Sequence, residues 1–544
     1  MLRVPKSYLL SFVSLVLNHI PPGLWPIIDF IFDISTFWIR KVIDIWRTKS
    51  PMSIAKQTMK KAESYEEWKI SAHYIDRLTG SDLWRHNFTS KKYDYRLIAD
   101  RLNSLREAKK NKDIPQLLRL FRTGGFLRNF GGISNKQLYN RSYTGTKILI
   151  EEYIAEILDS LHYLDEVKIQ EYDLSSNQLK LDFFHDARQS FGSTALILQG
   201  GSLFGLCHLG VVKALYFKGL LPRIISGSAV GAVVAAFISV LKNQDLASTL
   251  VSLPKLLSEI DRLDTDVDER YGSVIENVVT KGYSQDILIF IRYVKNVIGD
   301  MTFEEAYIKT TKILNVIIHP TDQSIPSLLN YVTAPNVVIW SALCASIGTG
   351  VLSDSVSLYV KDLNNNIIPY GHTDITDNVF LNPHQANERG DSNESPYTRV
   401  TELFNVNNFI VSLARPYLAP LIVNDIKHQT GWKLKRIFQR LMGLELHHRV
   451  ELLDRMGFLL SLIKRAAVDE KTPKNASEIV IVPELRTLVR DCGRVFDVHR
   501  TLENIPYWIL VGERSVWTVL PVLWARCAVE FTLDDLYNRR RGIK

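Results

Sequence analysis

Apolar and polar positions divide the chain into four parts. Residues 1–50 are largely apolar, and residues 51–165 carry apolar positions at helical spacing. Between residues 190 and 415, short runs of β-branched residues alternate with helical patterns, and from 420 to 544 the helical spacing returns. These changes predict an apolar anchor, a helical N-terminal domain, a mixed α/β domain and a helical C-terminal region.

Five short apolar runs in the third part predict buried strands. Continuous apolar runs that alternate with helices are typical of a mainly parallel sheet covered by helices on both faces. The predicted strands are Ala195–Gln199, Arg223–Ser226, Asn315–Ile318, Val337–Trp340 and Phe409–Leu413. The fold class that follows is α/β, with helical regions on either side of the sheet domain.

The N-terminal part contains two apolar stretches, Tyr8–Ile20 and Leu24–Ile39, separated by a Pro-Pro-Gly turn at 21–23. Neither stretch reaches the ~20 apolar residues of a spanning helix, and no small-residue cleavage site follows the first. The pattern favours a monotopic hairpin or interfacial helices, with Trp25 and Trp38 at the membrane boundary. A buried helix pair of the folded core is the alternative.

The charge balance narrows the possible partners. The 544 residues carry 66 Lys and Arg against 58 Asp and Glu, a net charge of +8. Such an excess suits nucleic acid or an anionic lipid surface, and the absence of a nucleic-acid-binding motif favours lipid. The basic tail at 539–541 could contact headgroups or simply be solvated. Four cysteines without a CxxC pair favour a reducing, cytosol-facing setting over a disulfide framework.

A first glycine-rich turn follows the predicted strand Ala195–Gln199. It reads Gly200-Gly201-Ser202 and continues to Gly205, after which helical spacing begins. Glycines at a strand-to-helix turn leave backbone N–H groups open to a ligand, and such groups stabilise an oxyanion in acyl transfer. They also bind phosphates, but neither dinucleotide nor P-loop spacing is present.

A second turn follows the predicted strand Arg223–Ser226 and precedes an apolar helix. Strand, tight turn and helix form the setting of a nucleophile elbow, G-x-S-x-G. The frame here runs from Gly227 to Gly231, and its centre is Ala229 instead of serine. A methyl group cannot act as a nucleophile. Ser228 lies one position too early, where a tight turn aims the side chain elsewhere.

Several motifs recur in a fixed order and carry a resemblance to a known family. Besides the two turns, they are Ser64–Trp68, Tyr93–Tyr95, Leu127–Gly132, Gly145–Lys147, Leu206–Lys213, Trp340–Ser346 and Glu402–Asn407. With them, residues 55–425 resemble the patatin-like phospholipase family, in particular fungal lipid-droplet triacylglycerol lipases and their plant oil-body relatives.

The resemblance implies a three-layer α/β/α domain at 190–415 and a serine–aspartate dyad without cofactor or metal. It implies an oxyanion hole at Gly200, Gly201 and Ser202. It also implies hydrolysis of triacylglycerol at the cytosol-facing surface of lipid droplets and endoplasmic reticulum, with neutral lipid or phospholipid as ligand. Some members are associated with lysophospholipid acyl transfer.

The sequence departs from the family pattern at both catalytic positions. The nucleophile position is Ala229, and residues 388–394, where the family has Asp-Gly, contain none. Asp391 is the nearest candidate base, with a solvated loop residue as the alternative reading. Ser202 and Phe204 also stand where a third glycine and a basic residue are usual. These departures together indicate a degenerate site.

One further pattern suggests a different chemistry. His372 and Asp377 form the H-x4-D spacing of glycerolipid acyltransferases, in which histidine acts as general base and aspartate orients it. The pattern is short, and with 13 histidines it also arises by chance.

Three functional hypotheses follow. The first is a droplet-associated lipase whose hydrolysis is weak or absent, because loss of a hydrolase nucleophile costs around 10⁶ in turnover. The second is a non-catalytic member that binds lipid and regulates or stabilises an active lipase paralogue. The third is an acyltransferase that uses His372.

Overall fold

The computed structural model describes most of the chain between residues 51 and 542. The described residues are 34–36, 51–125, 127–167, 173–201, 203–263, 284–318, 325–347, 357–362, 364–370, 396–415, 441, 445, 448, 449, 452, 477–484 and 501–542. The predicted anchor at 1–50 therefore lies almost wholly outside them. By its internal contacts the chain divides into two compact units, residues 1–78 and residues 79–544.

Between residues 51 and 78, the described part of the first unit forms two helices, α1 (Pro51–Lys61) and α2 (Tyr65–Leu78). Ser64 precedes α2, and its hydroxyl accepts a hydrogen bond from Glu67 N–H (3.3 Å). The Glu67 carboxylate in turn accepts from the N–H of Glu63 (3.0 Å). The predicted serine–glutamate cap is therefore formed, with the glutamate reaching one residue further back than a capping box requires.

The second unit contains fourteen described α-helices and eight strands. Five helices precede the sheet: α3 (Ser81–His86), α4 (Tyr95–Lys110), α5 (Ile114–Leu120), α6 (Ile148–Glu166) and α7 (Asp173–Phe191), with short helical turns at Phe121–Gly125, Phe130–Gly132 and Lys136–Leu138. The sheet region follows as β1 (Ser193–Gln199), α8 (Leu206–Phe217), β2 (Ile224–Gly227), α9 (Val230–Val240), α10 (Asn243–Leu263), α11 (Gln285–Ile298), α12 (Phe303–Thr310), β3 (Ile313–Ile317), β4 (Leu328–Leu329), α13 (Ile339–Ile347), β5 (Tyr359–Lys361), β6 (Ile367–Pro369), α14 (Pro396–Phe404), β7 (Val406–Leu413), β8 (Ser477–Ile481), α15 (Thr501–Trp517) and α16 (Leu520–Arg541).

Six strands form one mainly parallel sheet in the order β4-β3-β2-β1-β7-β8. All pairs are parallel except β3 with β4. One core cluster joins β1 residues Ala195 and Ile197 to Tyr397 and Val400 of α14, and α9 contacts β1, β2 and β3. β1 is buried along almost its whole length, and residues 195–198 at its centre are all apolar. The predicted α/β fold class is confirmed.

Two predictions about individual elements are wrong. Val337 and Val338 form only isolated bridges, and the chain enters α13 at Ile339. A short apolar run does not distinguish a strand from the start of a buried helix. Conversely, the region after residue 420 is not wholly helical, because β8 pairs with β7 at the edge of the sheet.

A buried ion pair joins the motif Leu127–Gly132 to the sheet and to α16. Arg128 contacts the Glu530 carboxylate (3.0 Å) and donates to the carbonyl of Arg526 (2.7 Å). Glu530 also accepts hydrogen bonds from Thr194 at the start of β1. Burial nevertheless raises the pKa of Glu530, so desolvation outweighs the favourable charge of Arg128.

Among the described residues, no single helix is long and apolar enough to cross a membrane. The helices α15 and α16 meet this criterion only as a pair, and they are bent by 75° relative to each other.

Candidate active site

Both glycine turns lie together at the carboxyl end of the sheet, because β1 and β2 are adjacent and parallel. The N–H of Gly231 donates to the carbonyl of Gly200 (3.1 Å), and the N–H of Ser228 donates to that of Leu198 (3.1 Å). Backbone hydrogen bonds therefore fix the second turn against the first. In an open α/β sheet, this edge is where ligands bind.

The second turn has the backbone geometry of a nucleophile elbow. Gly227 ends β2, Val230 begins α9, and Ala229 between them has φ 51° and ψ −123°. A positive φ is strained for a residue with a Cβ and is held only where the surrounding structure enforces it. A side chain at Gly231 would collide with the backbone of Leu198. The structure thus places a methyl group at the centre of a tightly built elbow.

A serine of α13 supports the backbone of the elbow. The N–H of Ala229 donates to Ser346 Oγ (3.0 Å), and this hydroxyl donates to the carbonyl of Ile317 (2.7 Å). Ser346 lies in α13, and Ile317 ends β3. Both hydrogen bonds occupy the hydroxyl, so Ser346 supports the backbone of the elbow. Nothing in the spacing around Ser346 predicts this role, because it lies 117 residues from its partner.

The first turn adopts a conformation that requires glycine. Gly200 has φ 70° and Gly201 has φ 99°, and a Cβ on Gly201 would come within 2.7 Å of the Gly205 backbone. Ser202, the third predicted oxyanion-hole residue, lies outside the described residues. Phe204 is buried and packs edge-on against Trp508 of α15, with ring centroids 5.1 Å apart. The departure at this position therefore has a packing role.

A buried histidine lies beneath the first turn. His208, in the first turn of α8, is fully buried, and its Nδ1 lies 2.9 Å from Ser412 Oγ. Burial, with a smaller contribution from the charge of Arg415, lowers the pKa of His208 from 6.5 to about 4, although hydrogen bonds with the backbone of Gln199 and Gly200 oppose the shift. The imidazole is therefore neutral near pH 7. His208 is therefore a packed residue of the core beside the first turn.

One cation borders the first turn. Arg415 follows β7 and is only 7% exposed. Its Nε and Nη2 would lie 3.3 Å from a Cβ at position 200, so the guanidinium packs directly against Gly200. A buried positive charge beside outward-facing backbone is suited to a carboxylate or another anion. Sequence reasoning missed Arg415, which has no distinguishing motif of its own.

The structure does not describe the other predicted catalytic residues. Asp391, the candidate base, and His372 and Asp377 of the acyltransferase pattern all lie outside the described residues. Within the described part of the chain, no cluster of three or more His, Cys, Asp or Glu side chains could hold a metal ion. What the described residues offer is an oxyanion-type turn and a cation around an elbow that has no nucleophile.

Comparison with known proteins extends across the whole chain. Residues 196–361 match the family model of patatin-like phospholipase, and residues 45–189 match a domain of unknown function, DUF3336. Triacylglycerol lipase 3 of Saccharomyces cerevisiae is 38% identical over 99% of this chain and 97% of its own length. Triacylglycerol lipase ptl1 of Schizosaccharomyces pombe is 37% identical over 88% of this chain and 84% of its own length.

Similarity also extends to plants. Triacylglycerol lipase SDP1L of Arabidopsis thaliana is 28% identical over 100% of this chain and 66% of its own length. The patatin-like match includes both glycine turns, whereas β7, β8 and the last two helices lie beyond it. Fold, elbow geometry and full-length similarity agree, and the chain belongs to the patatin-like lipase family.

Proposed function

We propose that this chain binds neutral lipid at the cytosol-facing surface of lipid droplets and endoplasmic reticulum, and that it has little or no serine-dependent hydrolase activity. The observation that carries the proposal is Ala229, which occupies the centre of a complete elbow. Loss of the nucleophile in a serine hydrolase costs around 10⁶ in turnover, while the binding surface remains. Triacylglycerol is the ligand class because the relatives are named triacylglycerol lipases.

Neither neighbouring serine is suited to replace the missing nucleophile. Ser228 lies on the strand side of the turn, and its N–H is bonded to Leu198. The positive φ of Ala229 makes residue 229 the centre of the tight turn, so Ser228, one residue earlier, does not take the nucleophile position. The Ser346 hydroxyl already donates to Ile317 and accepts from Ala229.

A non-hydrolytic member of a lipase family retains uses for its lipid-binding scaffold. The glycine turn, the elbow glycines and Arg415 remain tightly packed, which is consistent with retained binding of an acyl or carboxylate group. Such a chain could regulate or stabilise an active lipase paralogue at the same surface. No observation on the described residues favours the acyltransferase alternative, which stays a prediction.

Hydrolysis of emulsified triolein tests the catalytic half of the proposal. The expected result is that the chain and its Ser228→Ala variant release fatty acid at the same background rate, because neither contains a nucleophile. Release that is well above background in the chain and is abolished by Ser228→Ala would overturn the proposal.

Flotation with phospholipid-coated triolein droplets tests the lipid-binding half. We expect the full chain to float with the droplets, and deletion of residues 1–49 to weaken its recruitment. Equal recruitment of both forms would show that residues 1–49 are not an anchor. Failure of the full chain to float would refute lipid binding.

A further inference from the structure

A cavity, here called the amino-end cavity, lies at the end of the sheet opposite the glycine turns. It has a volume of about 390 Å³. Ser193 and Ile313 in its wall are the first residues of β1 and β3, and Arg223 immediately precedes β2. Since the amino ends of parallel strands share one edge, this cavity is separate from the elbow, which follows the carboxyl end of β2.

Three arginines surround this cavity. Arg188 pairs with Asp534 (2.5 Å). Within the described ranges, neither Arg223 nor Arg541 has a carboxylate partner, and the buried Nε of Arg223 has no hydrogen-bond partner. Among the described residues of the wall, Glu402 is the one carboxylate. The cavity is therefore positively charged, and one of its wall residues, Arg223, carries an unsatisfied donor.

Polar and aromatic groups form the rest of the wall. Tyr307 and Tyr331 stack with ring centroids 4.0 Å apart and an interplanar angle of 6°, and Phe404 continues the stack at 6.2 Å. Thr311 and Asn538 add polar groups. A polar cavity of this size suits a headgroup or a small ester, and the fork of an arginine matches the oxygens of a phosphate.

Hydrogen bonds hold Asn405, a wall residue of the cavity, in place. Asn405 has a positive φ of 51°, its side-chain amide donates to the Gln189 carbonyl (2.8 Å), and its own carbonyl accepts from Ser193 N–H (2.9 Å). This arrangement explains the Glu402–Asn407 motif, which the candidate active site does not use. Its residues shape the cavity at the start of β7.

The C-terminal basic tail has divided roles. Arg539 pairs with Asp535 (2.5 Å), and Arg540 pairs with Asp165 (2.5 Å). Of the three consecutive arginines, only Arg541 lines the cavity. Arg539 therefore offers a matched control, since it has the same charge but lies outside the wall.

From this geometry we propose that the cavity binds a phosphate group, carried either by a soluble phosphate ester or by a phospholipid headgroup. The free arginines Arg223 and Arg541 hold the phosphate oxygens, with Arg223 as the buried donor and Arg541 at the rim. The proposal does not depend on the elbow or on the absence of hydrolysis.

Calorimetric titration of the full chain with inorganic phosphate and with sn-glycerol 3-phosphate tests the proposal. Loss of one charged hydrogen bond should weaken binding about ten- to a hundredfold in Arg223→Gln. Arg541→Gln should weaken it less, because that side chain is exposed. Arg539→Gln should bind like the unchanged chain. Circular dichroism of each variant shows whether it is folded. Arg223→Lys is a further control, because it keeps the positive charge at this position.

Vesicles distinguish the two sources of phosphate. Sedimentation with phosphatidylcholine vesicles that contain phosphatidic acid is compared with pure phosphatidylcholine. Binding of soluble esters that depends on Arg223 supports a soluble ligand, and binding only to phosphatidic acid vesicles that depends on Arg223 supports a headgroup. The proposal is overturned if no phosphate probe binds, or if folded Arg223→Gln binds every probe as the unchanged chain does.

Discussion

Replacement of Ala229 by glycine should stabilise the elbow, although glycine in a helix or strand normally destabilises a protein. Ala229 has φ 51° and ψ −123°, outside the regions that a residue with a Cβ adopts readily. Glycine adopts such a conformation without the steric penalty. The substitution therefore reports on backbone geometry and requires no catalytic activity.

Three terms set the size of the effect. Relief of a strained backbone conformation contributes about 1–3 kcal/mol. The greater freedom of glycine in the unfolded chain opposes this by about 0.5–1 kcal/mol. Loss of a half-buried methyl group opposes it by about 0.4 kcal/mol, half the value of a fully buried one. The net expectation is a stabilisation of about 1 kcal/mol.

Native-state hydrogen exchange measures this locally, on peptides that cover β2 and α9. The matched control is Ala155→Gly, at an exposed position of the regular helix α6. There the same substitution should lower the free energy of opening by about 1 kcal/mol. A similar loss at position 229 would refute the inference that Ala229 is held in a strained elbow.

Three further predictions concern His208 beside the first glycine turn, the buried ion pair at the start of β1, and the hydroxyl that supports the elbow. Between pH 7.5 and 5, stability should fall by about 2 kcal/mol through His208, since the unfolded state takes up a proton that the folded state, with a pKa of about 4, does not. In urea unfolding of His208→Gln, the free energy of unfolding should lack this part of the pH dependence. The same pH dependence in the variant would show that His208 is not its source. Arg128→Ala leaves Glu530 buried without its partner and should cost about 3–5 kcal/mol. Conversion of both residues to leucine should recover most of that loss of stability. Thermal unfolding of the single and double variants measures both effects, and a double variant as unstable as Arg128→Ala would contradict the prediction. Ser346→Ala removes the acceptor of the Ala229 N–H and should lower protection of that amide by about 1–2 kcal/mol in hydrogen exchange, with unchanged protection as the opposing result.

Local patterns in the sequence were sufficient for the strands that carry the two turns. β1 and β7 have apolar centres, β2 begins with two isoleucines, and glycines follow β1 and lie at the end of β2. Both features act within a few residues, so they can be recognised without a structure. The run at 337–340 failed because its apolar residues begin a helix after two bridges.

Long-range contacts account for what the sequence could not show. Ser346 and Arg415 lie 117 and 215 residues from the turn residues that they contact. The amino-end cavity joins residues from Arg188 to Arg541. Neither spacing nor periodicity encodes such contacts, because they follow from strand order. The predicted base Asp391 and the pair His372 and Asp377 stay predictions.

The central claim is that residue 229 is the nucleophile position and lacks its serine. Its most direct test compares triolein hydrolysis by the Ala229→Ser variant with that by the unchanged chain. A complete elbow that lacks only its nucleophile predicts fatty-acid release by the variant and none by the chain. Release by neither protein would place a second defect in the base and favour a purely lipid-binding role. Release by the chain as written at the rate of the variant would contradict the claim, because residue 229 would then not be the nucleophile position.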